Sequence, residues 1–408
     1  MRKYYRSIGV FILAAIAYLL LAGHTIFFQH SNTAYPIALA NAFLHGHLDL
    51  LQPPSEGYDL IFYNNHWYVA QQPLPSILMM PLVAVLGADH VSDILFDIFL
   101  GACSVTLCDV VLGTVSPQLS LTRRGLLTFF FALGTVHAWL SILGTNWFLG
   151  QLSAVPFCWL FIYVVWKKRP ILSGLMLGLV MLARPSIVPG ALILAIGWWF
   201  ITRQKTEQPQ SLAIQIVKLA IPVFIAAGLL GGYNYLRFGN ATDFGYAYLN
   251  DALNIRTRRL TYGSFNPIFL PENLTILTVK PPDIHLDLNN LRSFSINPSP
   301  EGMGFLWISP VLLYAFCVFP KTKDERMQYW CLVISTLLIL LPSLLYHNTG
   351  SAQFGYRFIL DALPFWIILV AWAAKRGSIY LLAGLISYSV AVNVAGARWF
   401  YRFWYKLP

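Results

Sequence analysis

Residues 170–201 read PILSGLMLGLVMLARPSIVPGALILAIGWWFI, a run with a single charge, Arg184. A helix needs about 20 apolar residues to cross the hydrocarbon core of a bilayer. The run is too long for one crossing and suits two short ones. Proline removes a backbone N–H and breaks the helical ladder, so the two are expected to meet at Arg184-Pro185. Working outward, further apolar runs lie at 7–28, 91–113, 125–145, 148–166, 212–236, 303–319, 328–346, 357–374 and 378–396. The expected fold is an all-α polytopic membrane protein, one membrane domain over 1–408 with roughly eleven transmembrane helices. The run 7–28 reads as a span rather than a signal peptide, because no A-x-A site followed by a soluble domain comes after it.

Composition agrees. Hydrophobic residues make up 57% and charged residues 11%, against about 25% charged in a soluble domain. The 13 Trp and 21 Tyr suit aromatic belts at two membrane interfaces. The net charge of +10 comes from short basic clusters between apolar runs, the pattern that sets membrane topology, so nucleic acid is not an expected partner. Cys103, Cys108, Cys158, Cys317 and Cys331 all lie inside apolar runs without a C-x-x-C pair, so neither a disulfide nor a zinc site is expected.

Charge also gives an orientation. Arg2, Lys3 and Arg6 lead the chain, and the next cation is Arg123. Between them stand Asp49, Glu56, Asp59, Asp89, Asp93, Asp97 and Asp109. This segment reads as mostly external and the amino terminus as cytoplasmic. The clusters Arg123-Arg124, Lys167-Lys168-Arg169, Arg203 with Lys205, Lys321 with Lys323 and Arg326, and Lys375-Arg376 then fall inside. The condition is that 74–87, with its prolines, is a short interfacial helix rather than a crossing. The tail, with Arg398, Arg402 and Lys406, then ends outside, against the rule.

Two loops hold the polar chemistry. The first, 29–90, begins with an interfacial helix: Thr33 as cap, Pro36 in the first turn, Leu39 and Phe43 on an apolar stripe, Gly46 at the end. Next comes Y-D-L-I-F-Y-N-N-H-W-Y-V at 58–69, where Asn64-Asn65 signals a hairpin. Asp59, Asn64, His66, Trp67 and Tyr68 combine carboxylate, amide, imidazole and aromatic faces, the set a sugar site uses. The bland alternative is a solvated loop with interfacial aromatics. The second loop, 237–302, is long enough to be functional. Its R-T-R-R run offers Arg256, Arg258 and Arg259 to phosphate, or to solvent and headgroups. Cations at the membrane edge require a partner. Arg184 suits a lipid phosphate. Arg357 and Asp361, four apart, are expected to pair on one helix face. Asp93 and Asp97 repel unless one finds a cation or a proton. His137 is expected to be a hydrogen-bonded interior residue.

Four stretches together resemble a known group: A-N-A-F-L-H-G-H-L-D-L (40–50), Y-N-N-H-W-Y-V…P-L-P (63–75), N-Y-L-R-F-G-N (234–240) and G-Y-R-F-I-L-D (355–361). With one span, an outer loop and a second outer loop, the layout resembles the GT-C superfamily of membrane glycosyltransferases. Within it the chain is most similar to a poorly characterised bacterial group. The resemblance implies a multi-pass protein of a bacterial inner membrane and a polyprenyl-phosphate-linked sugar donor. One departure stands out. The family places an acid just after the first span, and here H-S-N-T-A-Y (30–35) offers Asn32, which cannot act as a base. The base role then passes to Asp59, or to Asp49.

The expected activity is inverting glycosyl transfer on the outer face, from that donor to a glycan, lipid or protein acceptor. Asp59 or Asp49 takes the acceptor proton. Arg184 or Arg357, with Tyr356 beside it, holds the leaving phosphate. Neither metal nor cofactor is expected. The alternatives are a transporter or flippase for a lipid-linked or anionic solute, and a non-catalytic scaffold of the same fold.

Overall fold

The computed structural model describes residues 2–23, 27, 30–52, 54, 57–203, 211–286 and 294–406. Glu56 and Lys205 lie outside them. In chain order the helices and strands are α1 (Arg2–Ala22), α2 (Tyr35–Leu44), β1 (Leu60–Tyr63), β2 (His66–Val69), α3 (Leu74–Leu86), α4 (Asp93–Val115), α5 (Leu121–Leu133), α6 (His137–Leu140), α7 (Asn146–Leu152), α8 (Val155–Trp166), α9 (Pro170–Met181) and α10 (Val188–Thr202). Then follow α11 (Leu212–Phe238), α12 (Leu253–Tyr262), α13 (Leu270–Thr278), β3 (Asp283–Leu286), β4 (Phe294–Asn297), β5 (Glu301–Met303), α14 (Phe305–Ile308), α15 (Lys323–Leu344), β6 (Gln353–Gly355), α16 (Leu363–Ala374) and α17 (Ile379–Tyr405). Among the described residues the strands form two antiparallel pairs, β1 with β2 and β3 with β4, and one parallel pair, β5 with β6.

Among the described residues seven helices are long and apolar enough to cross a membrane, against the roughly eleven expected from apolar runs of ~20 residues. They are α1, α4, α7 with α8, α10 with the turn before it, α11, α15 and α17. The other runs are broken by local chemistry. The run 125–145 stops at Gly134, which ends α5. In 303–319, Pro310 forces its predecessor out of the helical region: Ser309 has φ −146° and ψ 53°, and residues 310–317 wind as a 3-10 helix. The run 357–374 divides into a 3-10 turn at 357–361 and the 12-residue α16. The break in 170–201 falls where expected, with α9 ending before Arg184-Pro185. Residues 74–86 form a 13-residue helix, about 20 Å long and too short to span. The final span does not stop at 396: α17 runs unbroken to Tyr405 and carries Arg398 and Arg402 on its exposed side.

Helix packing uses close backbone approach. Gly174 and Gly178, four apart, face α11. A Cβ on Gly174 would meet the Leu219 carbonyl oxygen at 2.2 Å, so only hydrogen fits.

Several of the short basic clusters gather at one end of the bundle. Asp109 near the end of α4 is buried, accepts from Arg6 at 2.6 and 2.9 Å, and pairs with Arg124. Asp109 therefore belongs with the basic clusters. Arg123 donates to the carbonyls of Lys375 and Gly377 at 2.5 and 2.7 Å, and Lys168 donates to that of Thr202 at 2.9 Å. At the other end of α4, Ser31 donates to Asp93 through its backbone N–H and hydroxyl at 2.9 and 2.5 Å. Asp97 accepts from the Gly144 N–H at 2.7 Å. Both acids tie down loops at the α4 amino end rather than forming a pair. His137 is buried, with the Tyr18 hydroxyl 2.9 Å from its Nδ1.

Gly174→Ala should destabilise the protein by about 1–3 kcal/mol, because α9 and α11 must separate. Gly228→Ala on α11, where a Cβ meets nothing within 4 Å, should be neutral or mildly stabilising. Thermal unfolding in detergent compares the two.

Candidate functional site

The two loops interlock. Asn64 and Asn65 both adopt positive φ, 48° and 62°, the pairing a two-residue hairpin turn requires. Tyr63 pairs with His66 and Leu60 with Val69. At the hairpin base the Asp59 N–H donates to the Asn250 carbonyl at 2.8 Å, and the Asn250 N–H returns to Leu60 at 2.9 Å. The Asn250 side chain donates to the Gly57 carbonyl at 2.9 Å. Asp59 itself sits at φ 61°, a conformation aspartate tolerates better than most residues. Residues 246–251 are held by Arg259, buried, which donates to the carbonyls of Tyr246 and Leu249 and to Asp251 at 3.1 Å.

Above this junction lies a cavity of about 680 Å³, a size suited to a small ligand or one end of a larger one. It is closed by the hairpin base, the start of α7, the Arg184 turn, residues 244–255, the chain after α15 and Trp404 of α17. Its walls are rich in aromatic residues and its charges few: Asp59 and Asp251 from the two loops, Arg184 and Arg357 from the helix breaks.

The arginines differ. Arg184 donates to Asp361 through Nε and Nη2 at 3.1 and 2.5 Å, an ion pair joining the α9–α10 break to the start of α16. The expected pairing of Arg357 with Asp361 does not form. Residues 357–361 wind as a 3-10 helix, where positions four apart point about 120° away from each other. Arg357 instead donates to Gln151 Oε1 at 3.1 Å and to the Gly350 carbonyl at 3.3 Å, and its guanidinium lies over Phe358 and Phe148. Gln151 in turn donates towards Asp361 at 3.4 Å. Among the described residues Arg357 has no carboxylate partner within ion-pair distance. It is a buried cation on the wall of a cavity, held only by neutral groups.

Burial raises the Asp59 carboxyl to about 6. A hydrogen bond from the Trp147 side chain and the charge of Arg357 work against that rise, and Asp251 adds to it. Its pKa is thus matched to proton transfer near neutral pH. His347, also on the wall, is held below its ordinary value, first by burial.

Of the residues singled out in the sequence, the cavity gathers Asp59, Arg184 and Arg357. The hairpin carries Asn64, His66, Trp67 and Tyr68, none of which lines the cavity. Asp49 accepts from His66 Nδ1 at 2.7 Å and sits 3.4 Å from His47 Nδ1. Burial opposes ionisation at Asp49, but these contacts and its own backbone N–H outweigh it and leave the pKa below the usual carboxylate value. Trp67 stacks near Phe62, and Tyr68 packs on Phe238. Asn64 makes the turn. Thr33 does not cap α2; its hydroxyl accepts from the Asn146 N–H at 3.2 Å, and Ala34 holds the cap position. Tyr356 is buried beside the cavity and donates to the Ser343 carbonyl at 3.0 Å. The R-T-R-R run does not act as a unit: Arg259 points into the loop, Arg258 pairs with Glu272, and Arg256 is exposed. Asp287 and Arg292 of the second loop lie outside the described residues. Asp251, Gln151, Trp147 and His347 join the site unannounced, since no local motif marks them.

A solved structure can be set beside this geometry. The chain superposes on the archaeal oligosaccharyltransferase AglB from Archaeoglobus fulgidus, solved with an inhibitory peptide and a dolichol-phosphate. The TM-score is 0.50 at 13% identity, over 97% of this chain and 56% of AglB. At this identity the likeness is one of fold alone. This chain thus spans little more than half the length of that enzyme. No model of a known protein family matches, and no curated protein matches.

Arg259→Met should cost about 3 kcal/mol or more by leaving Asp251 buried without its cation. Residues 246–251 should then become a site of limited proteolysis. Arg256→Met, three residues earlier and exposed, should stay within about 0.5 kcal/mol of the parent.

Proposed function

We propose that this chain is an inverting membrane glycosyltransferase that takes a sugar from a polyprenyl-phosphate-linked donor. The observation that carries the reading is one cavity, in a GT-C-like fold, holding a carboxylate poised near neutrality and a guanidinium without a carboxylate partner. The dolichol-phosphate bound by AglB supports the donor class. The acceptor is a glycan, lipid or protein hydroxyl.

Asp59 accepts the acceptor's hydroxyl proton as that oxygen forms its bond to the anomeric carbon. The bond from the anomeric carbon to the donor phosphate breaks, and its electron pair leaves on the phosphate oxygen. Arg357, lacking an internal anion, takes up that charge. Arg184 stands at the same wall but is engaged by Asp361, so it contributes field and position rather than a free fork. Asp59 is preferred to Asp49, which does not line the cavity. Asn32 is exposed and off the cavity lining, consistent with a base displaced from the family's usual position.

In the proposed orientation the basic end faces the cytoplasm, and the loops 29–90 and 237–302 with the cavity face outward. The narrower kinship to a bacterial group rests on the four sequence stretches alone.

The direct test is transfer of label from radiolabelled polyprenyl-phosphate sugars in membranes. Asp59→Asn should cut turnover about 100-fold or more with donor binding nearly intact. In the parent, activity should rise with pH through about 6 as Asp59 ionises, then level off; the variant should lose that limb. Asp49→Asn should be far milder. Equal, small effects from both would sink the catalytic reading in favour of transport or a scaffold role.

Donor retention by purified protein separates the arginines. Arg357→Ala should weaken binding about 100-fold, the scale of lost charge-assisted hydrogen bonds. Arg184→Ala should weaken it less, because Asp361 is its main partner. Unchanged binding in Arg357→Ala would remove the phosphate role.

A further inference from the structure

A second cavity, of about 280 Å³, opens at the basic end, away from Asp59 and Arg357. It lies between the turn after α4, the end of α10, the 3-10 helix at 310–317, the start of α15 and the end of α16. Its lining is partly apolar, with Trp198, Val318, Phe319 and Trp372, and partly cationic, with Lys375 and Arg376 beside them.

Lys375 is half-buried, and its ammonium lies 5.9 Å from the centre of the Trp372 ring. Arg123 occupies the Lys375 carbonyl, adding a third cation nearby. Among the described residues neither Lys375 nor Arg376 makes an ion pair. Glu325 is the one carboxylate lining this cavity, and its Oε2 accepts from the N–H groups of Lys321 and Thr322 at 2.7 and 3.3 Å. Its field reaches both cations, but two cations against one carboxylate leave the wall positive. Cations facing a half-enclosed space favour an anion, and an apolar wall beside them favours a chain attached to it.

We propose that this cavity binds the phosphate of an anionic phospholipid, with Lys375 and Arg376 on the phosphate and the acyl chains along Phe319 and the tryptophans. The shared chemistry is a phosphate group; the apolar wall assigns it to a lipid rather than to a soluble anion. The site is independent of the glycosyltransferase reading.

Cys317, exposed on the same cavity wall, is a built-in reporter; Cys108, Cys158 and Cys331 are buried and Cys103 is partly so. Alkylation of Cys317 by N-ethylmaleimide is followed by mass spectrometry of its peptide, with the full chain in detergent. At about ten times the dissociation constant, phosphatidylglycerol should slow alkylation about tenfold by occupancy alone. Phosphatidylcholine should protect little. Lys375→Gln combined with Arg376→Gln should abolish the protection, each protein being compared with its own lipid-free rate. Equal protection by both lipids, or full protection of the double variant, would overturn the site. Inorganic phosphate protecting as well as phosphatidylglycerol would overturn the lipid as its occupant.

Discussion

Burying a guanidinium between apolar helices is costly without an anion, and Asp361 supplies one for Arg184. That one ion pair joins two helix breaks that lie far apart in sequence. It fixes the α9–α10 turn against the start of α16, and Gln151 extends it to Arg357. Because Asp361 is taken, Arg357 is left with neutral partners only. The cavity's electrostatic character follows from that allocation: one arginine is paired with a carboxylate, and the other is held by neutral groups.

The cavity is also a product of two loops that cannot form it separately. Asp59 stands at the base of a hairpin whose outer edge is completed by residues 249–250. Those residues are in turn fixed by Arg259. The first loop thus supplies the candidate base, and the second supplies both its scaffold and the neighbouring Asp251 that helps hold its pKa up. Burial is the dominant cause of that shift, so the chemistry depends on how completely the loops close over the carboxylate.

Much of this was legible in the chain and some was not. The Asn64-Asn65 turn and the break at Arg184-Pro185 could be read directly, because turn asparagines and proline act through their own backbone. The number of spans could not. In wholly apolar runs nothing distinguishes a helix from a 3-10 turn except single residues such as Gly134 and Pro310. The pairing of Arg357 with Asp361 assumed α-helical spacing where the chain winds more tightly. Asp109 counts among the acids of a cation-free segment, although it lies inside the run 91–113 and binds Arg6 and Arg124. Gln151 and Asp251 carry no local signature at all; their roles come from what they meet.

The two helices that carry the Arg184–Asp361 pair are short. α9 and α16 have 12 residues each, about 18 Å of rise against a hydrocarbon core of about 30 Å. Both reach the basic end, at Arg169 and Lys375. With that end in one headgroup layer, the ion pair sits well below the opposite one, and the cavity floor is sunk into the bilayer. Under the proposed function, a donor phosphate at its ordinary depth would lie above Arg357, so the membrane would have to thin locally or the lipid descend. Acyl-chain length would then be a variable of the proposed mechanism: a thicker bilayer would lengthen the descent, and a thinner one would bring the donor to the arginine.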